Sequence, residues 1–119
     1  MAEYAPLFKP GDEFTSATSA AVSAGKCLVA SGDNTVAQSS AASAAFVGIA
    51  AFDAGSGSEV TVITEGIHLL DASGAINAGD NVTTAASGAV AAFSGTTYNT
   101  IIGKALAAAA NGKVKVLLP

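Results

Sequence analysis

Val22-Ser23-Ala24-Gly25-Lys26-Cys27-Leu28 and Ile76-Asn77-Ala78-Gly79-Asp80-Asn81-Val82 are two versions of one pattern, 54 positions apart. At the same offset Val36-Ala37 matches Val90-Ala91, and Val60-Thr61-Val62-Ile63 matches Val114-Lys115-Val116-Leu117. Phe46-Val47-Gly48-Ile49-Ala50 matches Ile101-Ile102-Gly103-Lys104-Ala105 after a one-residue insertion. Chance pairing of abundant Ala and Gly can produce one such block, but rarely four in the same order. A repeat of this length is one supersecondary unit written twice.

Within each unit, short β-branched and apolar runs alternate with Gly-rich turns, which reads as strands. The first half predicts strands near 26–30, 35–38, 46–52 and 60–64, with a further apolar segment at Ile67-His68-Leu69-Leu70. The second predicts them near 81–84, 89–93, 100–106 and 113–118. Asn111-Gly112 is the clearest turn, because a type I′ hairpin needs positive φ at both central residues. Ala/Ser-rich stretches at 16–24, 39–45 and 104–110 compete as helices, but runs this short nucleate poorly, so at most one short helix is expected, at 39–45. The expected fold is mostly β: a small barrel or sandwich of short strands built from two internal repeats. Residues 1–15 should form an extended N-terminal arm, since they precede the repeat and carry Pro6 and Pro10. Residues 16–119 should form a single β domain, with repeat one at about 22–64 and repeat two at about 76–118.

Composition narrows the function classes. A chain of 119 residues and 11.4 kDa supports one core. The charge is −4 and all five basic residues are lysines, which disfavours nucleic acid, whose recognition relies on Arg and clustered positive charge. No run approaches the ~20 apolar residues of a membrane helix, and Met1–Pro6 lacks the pattern of a secretory signal. A single cysteine, Cys27, fits folding in a reducing cytoplasm and reads as a small buried side chain.

Catalytic equipment is sparse. One His and one Cys cannot build a structural zinc site, and His68 alone cannot hold a catalytic metal. Gly55-Ser56-Gly57-Ser58 lies on a turn and lacks the strand-to-helix context of a nucleophile elbow. No phosphate-binding glycine motif occurs. The expectation is no catalytic residue, no metal and no cofactor, with His68 at a surface or subunit boundary. One contrast between the repeats stands out: Lys26 corresponds to Asp80, and Glu59 to Lys113. If repeats of neighbouring subunits face one another, such exchanges would select one register.

Taken together, Tyr4-x-Pro6-x-x-x-Pro10-Gly11, Ser19-Ala20-Ala21-Val22-x-x-Gly25-x-x-Leu28-Val29 and Gly32-Asp33-x-Thr35-Val36-Ala37 resemble the capsid cement, or decoration, proteins of tailed bacteriophages. Val47-Gly48-Ile49-Ala50, Val60-Thr61-Val62, Ala78-Gly79-Asp80-x-Val82 and Ile102-Gly103-x-Ala105 continue the resemblance over nearly the whole chain. The Ser/Gly turn at 55–58 and the Glu65-Gly66-Ile67-His68 segment depart from it. The resemblance implies a β-rich homotrimer, made in the host cytoplasm, that binds the major capsid protein on the outer surface of the head and stabilises the shell. It also implies an N-terminal arm that docks on the capsid protein, with Tyr4, Pro6, Leu7, Phe8 and Pro10 as candidate capsid-binding anchors. Two alternatives remain: a small-molecule- or carbohydrate-binding β-barrel, and another virion component of tail or fibre. A binding barrel should enclose an aromatic-lined pocket. This chain has no Trp, and Tyr4, Phe8 and Phe14 lie outside the repeat.

Overall fold

In a computed structural model, which describes residues 13–119, the chain forms ten strands in two five-stranded groups. The first group is β1 (Glu13–Thr18), β2 (Cys27–Gly32), β3 (Thr35–Gln38), β4 (Phe46–Ala50) and β5 (Glu59–Ile63), closed into a barrel in the order β1-β3-β2-β4-β5. The second is β6 (Gly66–Asp71), β7 (Asn81–Thr84), β8 (Val90–Ala92), β9 (Ile101–Ala105) and β10 (Lys113–Leu118), in the order β6-β10-β9-β7-β8. Its edge strands are drawn together by a parallel bridge, Ala72 to Val90.

The duplication holds down to single hydrogen bonds. The first barrel closes with β1 parallel to β3 at Thr18 and Val36, and 54 positions on the equivalent residues are the bridged Ala72 and Val90. β2 and β4 pair antiparallel with a register shift between Leu28 and Val29; β7 and β9 repeat it between Val82 and Thr83. Gly25 N–H donates to the Ala50 carbonyl, as Gly79 N–H does to Ala105. Inward side chains fill each unit. Val22, Leu28, Val36, Ala50, Val60 and Val62 form the first core, and Val82, Val90, Ile102, Val114 and Val116 lie at the centre of the second.

Both units require a glycine in the same place. On β4, a Cβ at Gly48 would stand 2.5 Å from the Ile63 carbonyl oxygen, and on β9 one at Gly103 would overlap the Leu117 carbonyl oxygen. Neighbouring strands therefore cross there at a distance that only glycine permits. At the Asn111-Gly112 turn both residues have positive φ, 55° and 73°, and Ala110 and Lys113 exchange backbone hydrogen bonds, as the sequence predicts.

Three expectations are corrected. Residues 39–45 are not helical: Ser39 N–H donates to the Cys27 carbonyl, and Ser43 N–H to Thr84 Oγ1, so this stretch spends its polar groups on tertiary contacts that outweigh alanine's weak propensity. Among the described residues the helical geometry is two single 3₁₀ turns, Ala86–Gly88 and Tyr98–Thr100. The expected arm is also too long, since Glu13, Phe14 and Thr15 belong to β1 and pair with Ile63, Val62 and Thr61. The stretch Glu13–Thr18 holds one large apolar residue, Phe14, too little for a visible alternation. Consequently the first unit starts at β1 and the second at β6, earlier than 22 and 76.

Replacing Gly48 or Gly103 by Ala forces backbone to move and should destabilise the fold by about 1–3 kcal/mol. Gly32→Ala is the control, because its Cβ would meet nothing closer than Thr35 Cβ at 3.8 Å. Denaturant unfolding should separate the first two variants from the third, which stays within about 0.5 kcal/mol of the parent.

Candidate functional site

The two units are not side by side as equals: the turn end of the second packs on the outer wall of the first. On that wall Cys27 and Ile49, partners across β2 and β4, point away from the first core and are buried in the second, with Phe46 packed beside them. Polar contacts frame the joint. Ser39 Oγ donates to the Ala85 carbonyl at 2.7 Å, Gly88 N–H donates back to Ser39, and Thr84 Oγ1 donates to Ala41. Asp71 accepts from both Lys26 of the first unit and Lys113 of the second. These two donors hold its carboxyl below the ordinary value of 3.8, Lys113 contributing most and Lys26 next.

The charge contrast between the repeats thereby finds its use within one chain. Lys26 and Lys113, the two lysines whose repeat equivalents are acidic, converge on one carboxylate at the joint. Cys27 is also explained: with 0% exposure it is packing, and burial pushes its thiol up to about 12.

The wall of the second unit is different. Equivalent to Cys27 and Ile49 are Asn81 and Lys104, which are exposed and bonded to each other, Lys104 Nζ to Asn81 Oδ1 at 3.0 Å. Around them lies an open groove of about 300 Å³, lined by Ile101, Ile102, Leu117 and Pro119 as well as this polar pair. Beside it on β6, Ile67 and Leu69 are 61% and 66% exposed. Strand pairing makes this one surface, because Ile67 stands opposite Leu117, which in turn stands opposite Lys104. Side chains fill the middle of each unit, so the groove lies outside the barrel.

His68 stands on the face of β6 opposite to its neighbours. It shares the alternation of buried Leu70 and is half-buried, its Nε2 3.1 Å from the Glu65 carbonyl oxygen, where the first unit has Phe14. Its neighbours Ile67 and Leu69 face outward instead. Among the described residues no group of three His, Cys, Asp or Glu side chains could hold a metal ion. No helix of the described residues is long and apolar enough to cross a membrane. The candidate anchors Tyr4, Pro6, Leu7, Phe8 and Pro10 lie outside the described residues.

The fold is a closed barrel followed by a second five-stranded unit of the same pattern, which carries an outward apolar wall. The chain belongs to the phage cement protein family, whose model matches residues 9–119. Membership makes it a head-associated structural protein of a bacteriophage virion. No curated protein matches it in sequence. In fold it is similar to the N base of head fibre gp8.5 of bacteriophage phi29, with a TM-score of 0.68 over 90% of this chain and 92% of that one, at 22% identity.

Two outcomes follow from the joint. Because Asp71 is held below its ordinary value, it adds stability above about pH 4 that is lost as pH falls through its folded-state value. Asp71→Asn should therefore cost about 1 kcal/mol at pH 7, a partly exposed pair being worth no more, and the gap to the parent in thermal unfolding should close well below pH 4. Thiol reagents at neutral pH should label Cys27 only as fast as the protein unfolds, which mass spectrometry with and without denaturant will read.

Proposed function

We propose that the protein is a decoration protein: it attaches to the outer surface of the phage head, binds the major capsid protein and stabilises the shell, acting as a homotrimer and without enzymatic activity. The family membership carries this reading. The physical character of the chain supports it. Each core is packed with side chains, which leaves little room for the interior ligand of a binding barrel. A negatively charged chain without Arg suits the outside of a shell better than its DNA-filled interior. The buried thiol fits synthesis in a reducing host cytoplasm.

The first residues supply the attachment. Tyr4, Leu7 and Phe8 are large apolar groups within a dozen residues, and Pro6 and Pro10 exclude regular helix between them. Ordering such a segment costs roughly 1–2 kcal/mol per residue, so several anchors must be buried together for binding to be net favourable. A trimer multiplies three such contacts through effective concentration, which permits each to be weak.

The likeness to a head-fibre base favours a second reading, that of a platform for a longer fibre. Both readings place the protein on the head and differ in what it carries.

The test removes residues 1–12, because removing 1–15 would take Glu13–Thr15 out of β1. The shortened protein should keep its unfolding temperature and lose co-sedimentation with empty expanded heads. Phe8→Ala should weaken attachment by about 1–3 kcal/mol. A truncated protein that binds heads like the full chain would refute attachment through these residues.

A further inference from the structure

The two units share a fold residue by residue, so positions where they differ reveal what each outer surface does. On the first unit the outward residues of β1 are Glu13 and Thr15; their equivalents on β6 are Ile67 and Leu69. On β5 the exposed Glu59 and the half-buried Thr61 correspond to Lys113 and Lys115. The fold therefore accepts polar groups at these places, and the apolar ones on the second unit answer to something else. An exposed cluster of Ile67, Leu69 and Leu117, flanked by the half-buried Ile101, is of the kind that marks a contact surface.

Charge tells what covers it. Lys26 and Lys113 are both engaged by Asp71, while Lys104 and Lys115 lie on the apolar wall, exposed, with Glu65 at its margin. The acids Glu13, Asp33 and Glu59 are exposed on the outer face of the first unit, beside an open groove of about 390 Å³ lined by Thr15, Ala17 and Asn34. One chain thus presents an apolar, basic face on one unit and a grooved, acidic face on the other. The joint inside the chain already shows one unit of this pattern seated on the wall of the other.

We infer that the wall formed by Ile67, Leu69, Leu117 and Lys115 docks on a second copy of this chain, against the β1–β5 face carrying Glu13 and Glu59. This head-to-tail contact rests on the self-association proposed above and specifies its surfaces. Unlike faces meeting in this way generate a closed ring when the rotation per subunit permits. The contact is not the internal joint repeated between chains. At the sites equivalent to Lys26, Asp71 and Lys113 stand Asp80, Ala17 and Glu59, so a repeated joint would set two carboxylates together with no lysine between them.

Two double variants of the full chain test the inference, Ile67→Glu with Leu69→Glu on one face and Glu13→Lys with Glu59→Lys on the other. All four positions are exposed, so circular dichroism and the unfolding temperature should match the parent. In light scattering the parent should be an oligomer, each variant alone should fall to a monomer, and an equimolar mixture of the two should form a one-to-one dimer, because the intact wall of one meets the intact acidic face of the other. Pairing Lys115→Glu with Glu59→Lys in one chain should restore association lost by Lys115→Glu alone. Oligomers persisting in the folded Ile67/Leu69 variant would overturn the face while leaving the oligomer intact. A parent monomeric at every concentration would overturn the self-association itself. Variants that assemble like the parent but no longer co-sediment with heads would assign the wall to the capsid protein and overturn the inference.

Discussion

Cys27 and Ile49 point out of the barrel into the core of the second unit, and the remainder of the molecule is arranged around that burial. A strand alternates its side chains between faces, so a wall that must be apolar on both sides loses its polar residues. β2 and β4 show this: Leu28, Val47 and Ala50 serve the first core, while Cys27, Phe46 and Ile49 serve the second. Once the second unit covers that wall, the two units cannot be interchangeable. Their outer surfaces are free to diverge, and every difference of note, from the lysines on Asp71 to the exposed leucines, follows from one unit being covered and the other not.

Charge sharpens the asymmetry. An isolated ion pair at a surface stabilises little, so the value of Lys26, Asp71 and Lys113 lies as much in what they forbid as in what they hold. The joint is complementary only in the order first unit to second. A barrel that stacks on its own copy could in principle stack without end, and Asp80 and Glu59 oppose that continuation. A structural protein of the virion benefits from such a stop, because its assembly must end at a defined size.

The proposed function by surface contact asks little of the chain's chemistry. The proposed binding through a first segment and a wall needs no tuned acid, base or nucleophile. His68 fills the place of Phe14 and Cys27 lines the joint. The head-fibre base with which the fold is shared is 22% identical, so one fold is compatible with widely different sequences.

Legible in the sequence were the duplication, most strand positions and the Asn111-Gly112 turn, because each depends on residues close together in the chain. The resemblance to phage cement proteins was likewise readable from local blocks. Tertiary structure alone decided the rest. β1 is visible only through its partners β3 and β5, its own residues being too polar to announce a strand. That residues 39–45 are not helical follows from hydrogen bonds to residues on the far side of the joint. Which of His68 and Leu69 faces outward is fixed by the register of β6 on β10, since a shift of one residue exchanges the two faces of a strand. The outward apolar wall belongs to this last kind: it is assembled from β6, β9 and β10, which meet only when the sheet forms.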